Sequence, residues 1–482
     1  MISGIRSPLP SLPLPRLVYA QVSPVSVGGV SLFDAPGPVT ASNVNDYVSE
    51  SGMLEQVLSQ LAAAGFQVLQ RSPLMINIAA PAALFETFFQ VSLVTEQRPV
   101  FLSGDREATV TVTTTRGTNL PGLIDTSSSP LASLLEGVAI EEPVFPFQSA
   151  TPPAVDYWHL DVPGDLAKKM NADTLHQRGI TGAGVRLTMV DSGWYRHPYF
   201  THQGYQAKVL LGPGASTPED DEQGHGTGES TNAFAIAPAI DFTMIKANFS
   251  NTTGAFNAAL SQSPPPHIIS CSWGDDINQG PLSAARKALE AAVAHAIATG
   301  TIVVFSAGNG QFGFPGQHPD VLSVGGVFID HDGTMKAADY ASGFSSNIYT
   351  DRGIPDVSGL CGMRPGAMYL MLPVPPGCDV DRLSAQWRDG TKPDDGWAVL
   401  SGTSAAAPQI AGVCALMKQV NPRLTPTEAR DILMRTARDI TTGDTHPRTG
   451  PQHAGAGRDL ATGSGLVDAQ AAVAMTEQAA GQ

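Results

Sequence analysis

Residues 401–408 (SGTSAAAP) constrain this chain more than any other stretch. Glycine and small polar residues precede Ser404, and the run 404–418 is rich in Ala, Val, Leu and Met, which predicts a buried helix. Pro408 falls in its first turn, where a missing N–H is tolerated. Ser404 should therefore lie at the positive end of a helix dipole, beside N–H groups suited to an oxyanion. A helix cap without chemistry is the alternative for this stretch taken alone.

Size and charge narrow the class of protein. The 482 residues, 42% of them hydrophobic and 15% charged, suit a folded protein of about two or three domains. The net charge of -16 argues against nucleic acid or an anionic membrane as the main partner. No apolar run approaches the roughly 20 residues that a membrane helix needs. Residues 1–20 are broken by prolines and lack the apolar core of a secretory signal, so we expect a cytoplasmic protein, a non-classically exported one, or one whose signal is missing.

The four cysteines, Cys271, Cys361, Cys378 and Cys414, give no disulfide framework and no zinc signature. Cys361 and Cys378 share one loop-rich segment, so two interpretations stay open: a disulfide between them, or four ordinary thiols. Cys271 falls within a predicted strand without a base motif beside it, which argues against a nucleophilic role.

The first third of the chain carries the pattern of a small α/β domain. Helical spacing of apolar residues over 53–61, closed by Gly65, predicts a helix, and a second helix follows at 81–90. The predicted strands are 27–33, 66–70, 74–78 and 91–96. Their β-α-β-β-α-β order predicts a ferredoxin-like domain.

The segments after this module are less regular. Alternation over 108–115 predicts an exposed strand, and 131–138 is interpreted as a short helix. Residues 141–155 (EEPVFPFQSATPPAV) are rich in proline, and their apolar residues show neither helical nor strand periodicity. We interpret them as an exposed linker that is open to proteolysis.

Beyond the linker the pattern becomes that of an α/β domain. An amphipathic helix is predicted over 282–299, closed by Gly300. The predicted buried strands are 184–190, 241–246, 267–272 and 301–306. Strands that alternate with helices predict a mostly parallel sheet covered on both faces, with its active site beyond the carboxyl ends of the strands.

Three residues at the ends of these elements could act together: Asp191 in VDSG, His225 in GHGT, and Ser404. A serine hydroxyl needs a base to take its proton, and histidine can accept and return a proton near neutrality. A carboxylate fixes the imidazole tautomer and stabilises its charged form. Asn309, in SAGN just past a strand, could donate its amide to the developing oxyanion with the Ser404 N–H.

Together these motifs resemble the subtilisin-like serine proteases. The matches are VDSG with His197 and Pro198 following, GHGT, SCSWG, SAGN and SGTSAAAP, in the family's order over residues 176–480. The resemblance implies a subtilisin-like sheet with Asp191 as orienting acid, His225 as base, Ser404 as nucleophile and Asn309 as oxyanion donor. It further implies substrate-binding roles for Ser272, Trp273 and Gly274, as the strand edge that pairs with a peptide, and for Gly308 in the pocket.

The flanking regions are similar to those of sedolisin and kumamolisin. Residues 43–96 resemble their propeptide, and the C-terminal motif resembles their calcium site. That resemblance implies a structural Ca²⁺, for which carboxylates and backbone carbonyls are suitable hard ligands. The implied ligands are Asp439, Ile440, Gly455, Gly457 and Asp459. The alternative is a surface loop with two unrelated aspartates.

The chain also departs from both families. Sedolisins use a Glu-Asp-Ser set with an aspartate as oxyanion partner, whereas in this chain the base is His225 and the oxyanion partner is Asn309. Unlike subtilisins, it has Glu229 four residues after His225, on the same predicted helix face. Glu229 is either a solvated or capping residue, or a second carboxylate behind the imidazole.

We therefore predict a serine endopeptidase that works through an acyl-enzyme and is made as an autoprocessed precursor. Residues 1–145 would be a sedolisin-like propeptide domain, 146–175 a linker with the activation site, and 176–482 the subtilisin-like peptidase domain. We expect polypeptide substrates, inhibition by the chain's own propeptide, and a monomer. The alternative is a catalytically silent or permanently inhibited peptide-binding protein. An esterase is disfavoured because no G-x-S-x-G motif surrounds Ser404.

Overall fold

The computed structural model describes residues 13–102, 106–115, 118–146, 158–364 and 370–480. The N-terminal part forms a small antiparallel sheet with two helices on one face and a separate hairpin. Its helices are Ser51–Ala63 (α1) and Ala82–Phe89 (α2), and its strands are Val18–Pro24 (β1), Gln67–Arg71 (β2), Ile76–Ala80 (β3), Leu93–Leu102 (β4), Arg106–Thr115 (β5), Leu123–Ile124 (β6), Leu135–Ile140 (β7) and Phe145–Pro146 (β8).

The order of this sheet is β2-β3-β1-β7-β6, and all of its neighbours run antiparallel. With α1 after β1 and α2 after β3, the main elements follow the predicted β-α-β-β-α-β order of a ferredoxin-like domain. The strand expected at 91–96 is part of β4, but it does not join the sheet. It pairs only with β5 in a long hairpin inserted before β7.

Two other predictions for this domain were wrong. The first strand is β1 rather than 27–33, because Val27 is exposed while alternate residues of β1 pack against the helices. The segment 131–138 is a turn leading into β7 rather than a helix. Its apolar residues suit a short helix and a buried strand equally well, and the open edge of β1 offers backbone hydrogen bonds that only a strand can use.

The second domain is a doubly covered α/β sheet. Its helices are Gly164–Lys169 (α3), Asp173–Gln177 (α4), Pro198–Gln203 (α5), His225–Ile236 (α6), Thr252–Leu260 (α7), Ala284–Ala298 (α8), Asp379–Gln386 (α9), Thr403–Val420 (α10), Pro426–Thr436 (α11) and Ala469–Ala480 (α12). Its strands are Leu160–Asp161 (β9), Arg186–Asp191 (β10), Ala207–Leu211 (β11), Asp241–Lys246 (β12), Ile268–Cys271 (β13), Trp273–Asp276 (β14), Ile302–Ser306 (β15), Gly313–Phe314 (β16), Leu322–Ile329 (β17), Met335–Ala337 (β18), Phe344–Ser345 (β19), Gly353–Ile354 (β20), Val357–Leu360 (β21), Leu370–Pro373 (β22) and Trp397–Leu400 (β23).

The main sheet has the order β11-β12-β10-β13-β15-β17-β18, with β21 also on β17. Every pairing in it is parallel except that of β17 with β18, which confirms the predicted mostly parallel α/β fold. One face is covered by α6 and α10 and the other by α7 and α8, each over its own apolar core. The predicted helix after Ser404 is α10, which is buried along almost its whole length.

The segment interpreted as a linker is not exposed where the structure describes it. Glu141, Glu142 and Val144 are all buried, and residues 147–157 lie outside the described part of the chain. The rest of the predicted linker, from β9 to α4, places Leu166 and Leu175 in the core of the second domain. These short apolar pieces belong to the second domain, whose core provides their burial.

The N-terminal domain docks on α7 and α8. Four alanines of α8 pack in one apolar cluster with residues of the N-terminal domain, among them Phe33 and Met75. These alanines are Ala284, Ala288, Ala291 and Ala294. Beside it, the side chains of Asn77 and Asn251 donate to each other at 2.9 Å. A buried, reciprocally satisfied amide pair fixes the register of the two domains.

The remaining expectations about cysteines and membranes can be compared directly with the structure. All four cysteines are free and buried, so Cys361 and Cys378 do not pair. The Cys378 sulfur instead accepts the N–H of Asp381 at the start of α9. Among the described residues, no helix has the length and apolar character required to span a bilayer.

Candidate active site

Asp191 and His225 meet in the centre of the molecule. Asp191 ends the central strand β10, and His225 opens α6, after Gly224 has turned the chain in a left-handed conformation with φ 87°. The Nδ1 atom of His225 lies 2.7 Å from Oδ1 of Asp191, and both side chains are fully buried. The carboxylate thus fixes the ring so that Nε2 faces away from it.

Ser404 reaches the same place from α10. Gly402, with φ 122°, lets the chain turn sharply into the helix, so that Ser404 stands in its first turn. The Ser272 hydroxyl donates to the Ser404 carbonyl at 2.8 Å, which ties the backbone of Ser404 to the end of β13. The Ser404 hydroxyl itself hydrogen-bonds to the carboxylate of Glu229.

Glu229 is neither solvated nor a cap. It is fully buried on α6, and its Oε1 lies 3.6 Å from Nε2 of His225. The side chains therefore form one chain of contacts, from Asp191 through His225 and Glu229 to Ser404. The i, i+4 spacing was the only signal in the sequence for this contact.

The charges of this cluster shift its pKa values strongly. Burial alone would lower the pKa of His225, but the Asp191 carboxylate, assisted by Glu229 and Asp221, outweighs burial and raises it to about 9. Burial raises the pKa of Glu229 to about 7, although His225 counteracts part of the effect. A buried imidazole and carboxylate with such shifts are typical of a functional site.

Asn309 stands beside the first turn of α10. Its Oδ1 accepts the backbone N–H of Thr403 at 2.9 Å and the Thr403 hydroxyl at 3.2 Å. This fixes the amide plane and directs its NH₂ group away from Thr403. The preceding Gly308 has φ 116°, and a Cβ there would meet the Gln311 carbonyl at 2.9 Å, so glycine is required. The role of Thr403 was not found from the sequence.

The strand edge predicted to bind substrate is occupied by the chain itself. β8 pairs antiparallel with β14, with Phe145 opposite Gly274 and Pro146 opposite Trp273. On the other side, the Val144 N–H donates to the Phe249 carbonyl at 3.2 Å. The Trp273 side chain points into the core, where its Nε1 donates to the Val190 carbonyl at 2.7 Å, so only its backbone is available at the strand edge.

The residues expected to bind calcium lie in one glycine-rich loop region. Asp439 Oδ2 accepts the N–H of Gly457 at 2.9 Å, and Asp459 Oδ2 accepts that of Gly455 at 2.8 Å. Ile440 is buried beside them. Among the described residues, no three His, Cys, Asp or Glu side chains converge as a metal cluster.

Comparison with known proteins identifies the family. The subtilase family matches residues 182–465, more than half of the chain. The chain belongs to the subtilase family. Together with its fold, this places the protein among the serine-type endopeptidases.

Several subtilases are similar to this chain. Alkaline elastase YaB from Bacillus sp. (strain YaB) is 27% identical over 321 residues, covering 63% of this chain and 68% of that protein. Subtilisin Savinase from Lederbergia lenta is 25% identical over 321 residues, covering 96% of its own length. Among solved structures, fervidolysin from Fervidobacterium pennivorans, described as a keratinolytic enzyme related to subtilisin, has a TM-score of 0.55 at 15% identity. That match covers 95% of this chain and 61% of fervidolysin, so it shows the fold alone.

Proposed function

We propose that the protein is a serine endopeptidase made as an autoinhibited precursor, in which the N-terminal domain is the propeptide. The observation that carries this proposal is the pairing of Phe145 and Pro146 with the edge at Trp273 and Gly274. An extended peptide on a strand edge is how a protease holds a substrate backbone. The propeptide would thus occupy the cleft until the chain is cut beyond Pro146.

The proposed chemistry assigns each group one task. Ser404 attacks the peptide carbonyl while His225 takes its proton, and Asp191 stabilises the resulting imidazolium. The oxyanion receives hydrogen bonds from Asn309 and from the Ser404 N–H. His225 then gives the proton to the leaving amine, and water releases the acyl group by the reverse sequence.

We also propose that the propeptide is of the sedolisin type and that a calcium ion stabilises the C-terminal loop. The ferredoxin-like order of the N-terminal sheet supports the first point. For the second, Asp439 and Asp459 already hold the same glycine loop through its N–H groups. Asp459 also accepts the N–H groups of Ala461 and Thr462 through Oδ1, so its Oδ2 would face the ion. With Asp439 and the carbonyls of Ile440, Gly455 and Gly457, it would supply the oxygen ligands that calcium prefers.

The test compares wild type, Ser404→Ala and a matched control, Ser230→Ala, which removes another buried serine hydroxyl on α6. We expect wild type and the control to yield a fragment of about 330 residues that begins beyond Pro146, because connections between domains are preferred sites of cleavage. Both should react with a fluorophosphonate probe, and Ser404→Ala should do neither. Equal processing of all three would refute autoprocessing, and an unlabelled wild type would favour the silent peptide-binding protein.

The pH dependence tests the identity of the base. With histidine as base, activity should decline as pH falls through the pKa of His225, which the neighbouring carboxylates hold high. A rate maximum at about pH 3–4 would mean that carboxylates do the work instead.

A further inference from the structure

Glu229 touches both the nucleophile and the base. On α6 it lies one turn beyond His225, and its Oε1 is 3.6 Å from the imidazole Nε2. Its carboxylate also accepts the hydrogen bond of the Ser404 hydroxyl, and Oε2 accepts the amide of Asn232 at 2.9 Å. Support of the helix alone does not require the carboxylate to face Nε2, which is the imidazole nitrogen that carries the reacting proton.

The surroundings of Glu229 leave the imidazole as its cationic partner. Among the described residues, neither Oε1 of Glu229 nor Nε2 of His225 has a hydrogen-bond partner. The groups that face this pair come from α6, β10, the loop before α6 and α10: Asn232, Asp191, Asp221 and Ser404. Two of these are carboxylates, whereas the imidazole, the Ser404 hydroxyl and the Asn232 amide favour the ionised form of Glu229.

We propose that Glu229 is a fourth catalytic residue, which holds the Ser404 hydroxyl in the resting site and pairs with the Nε2–H of His225 once that ring has taken the serine proton. This inference rests on the proposed function. When Ser404 Oγ bonds to the peptide carbon, its O–H bond breaks and the proton moves to Nε2. The same proton then passes to the nitrogen of the broken peptide bond. Glu229 stays ionised throughout and neither gains nor loses a proton.

The arrangement makes a prediction that a merely structural role does not. Glu229 is one of the charges that raise the pKa of His225. Glu229→Gln keeps the shape of the side chain but removes that charge, so the imidazole should lose its proton at a lower pH. An opposite charge this close shifts a pKa by about 1–3 units, so the acid limb of kcat/KM should move down by about that much. The imidazolium formed in the reaction also loses support, which lowers kcat about tenfold for each unit lost.

The control is Glu290→Gln, the same substitution at another buried carboxylate. Burial raises the pKa of Glu290 to about 7 as well, but its partner is the Tyr349 hydroxyl, and Asp191, His225 and Ser404 are not among the groups that shift its pKa. We expect its pH profile to match that of wild type. Glu229→Asp keeps the charge and draws it back by one methylene, so its acid limb should lie between those of wild type and Glu229→Gln.

The second measurement needs no activity. In the full-length Ser404→Ala chain, the ring resonances of His225 are followed by NMR against pH, with and without Glu229→Gln. We expect the His225 pKa to fall in the double variant and to stay unchanged with Glu290→Gln. Equal His225 titrations with and without Glu229→Gln would overturn the inference. So would acid limbs of kcat/KM that superimpose for wild type and Glu229→Gln. A wild type that a fluorophosphonate does not label would instead refute the proposed function, while the NMR titration still decides the role of Glu229.

Discussion

In the proposed precursor, Val144 anchors the segment that would inhibit the enzyme, and shortening its side chain should weaken that inhibition by a calculable amount. Its side chain is 2% exposed and packs in the apolar core that also contains Trp273 and Phe305. Val144→Ala removes two methyl groups, each worth about 0.8 kcal/mol when buried, and leaves a small cavity. The loss of about 2 kcal/mol corresponds to an approximately 30-fold weaker complex between the cut propeptide and the enzyme.

The assay uses the full chain after it has processed itself. Because the cut propeptide is held without a covalent bond, dilution should release it, and the protein concentration at half-maximal activity reports the dissociation constant. We expect that concentration to rise about 30-fold in Val144→Ala. Val27→Ala, at a valine of the same domain that is 56% exposed, should leave it unchanged. Identical dilution curves for wild type and Val144→Ala would refute the reasoning.

Three further predictions concern the oxyanion donor Asn309, the buried Glu141 of the N-terminal domain, and the C-terminal loop proposed to bind calcium. Asn309→Ala should lower kcat about 10²–10³-fold with little change in KM, the range known for subtilisin itself; an unchanged kcat would remove Asn309 from the site. Burial raises the pKa of Glu141 to about 7, above the pKa that this group has in the unfolded chain. The folded state therefore binds the proton more tightly, and Glu141 contributes more to the free energy of unfolding as pH falls through 7. In the Ser404→Ala chain, calorimetry should show Tm rising from about pH 8 to about pH 6, and Glu141→Gln should lose part of that rise; equal rises would contradict this. A chelator should lower Tm if calcium is bound, but not in Asp459→Ala, and unchanged melting in both would exclude the ion.

The parts of the fold that the sequence predicts well are those in which local pattern and burial agree. The long apolar run after Ser404 becomes α10, and the apolar runs that end at Asp191 and Ser306 become central strands. Because a parallel sheet brings the carboxyl ends of its strands to one edge, these runs were enough to predict where the candidate catalytic side chains meet.

The N-terminal domain shows where pattern is not enough. The apolar residues around Leu135 and Val138 suit a helix turn or a strand, and only the open edge of β1 decides between them. Likewise, the strand that begins at Leu93 is real, but its partner is β5 across a hairpin rather than the sheet. Tertiary packing decides which strands pair, and the alternation of apolar residues along one segment does not reveal its partner.

The segment around Pro143 was misjudged for a related reason. Proline-rich extended chain without a period usually forms a solvated linker, because it lacks hydrogen-bond partners of its own. Here the partners come from the second domain: Phe249 binds the segment on one side, and β14 binds it on the other. Arg286, which is almost fully buried, also donates to the carbonyls of Glu142 and Pro143. The features that suggest a linker therefore also describe a peptide ready to add to a strand edge, and only the presence of that edge distinguishes them. If the edge is what orders the segment, a substrate and the proposed propeptide must compete for the same backbone groups of Gly274. The second domain freed of the N-terminal domain should then bind peptides in that same antiparallel register.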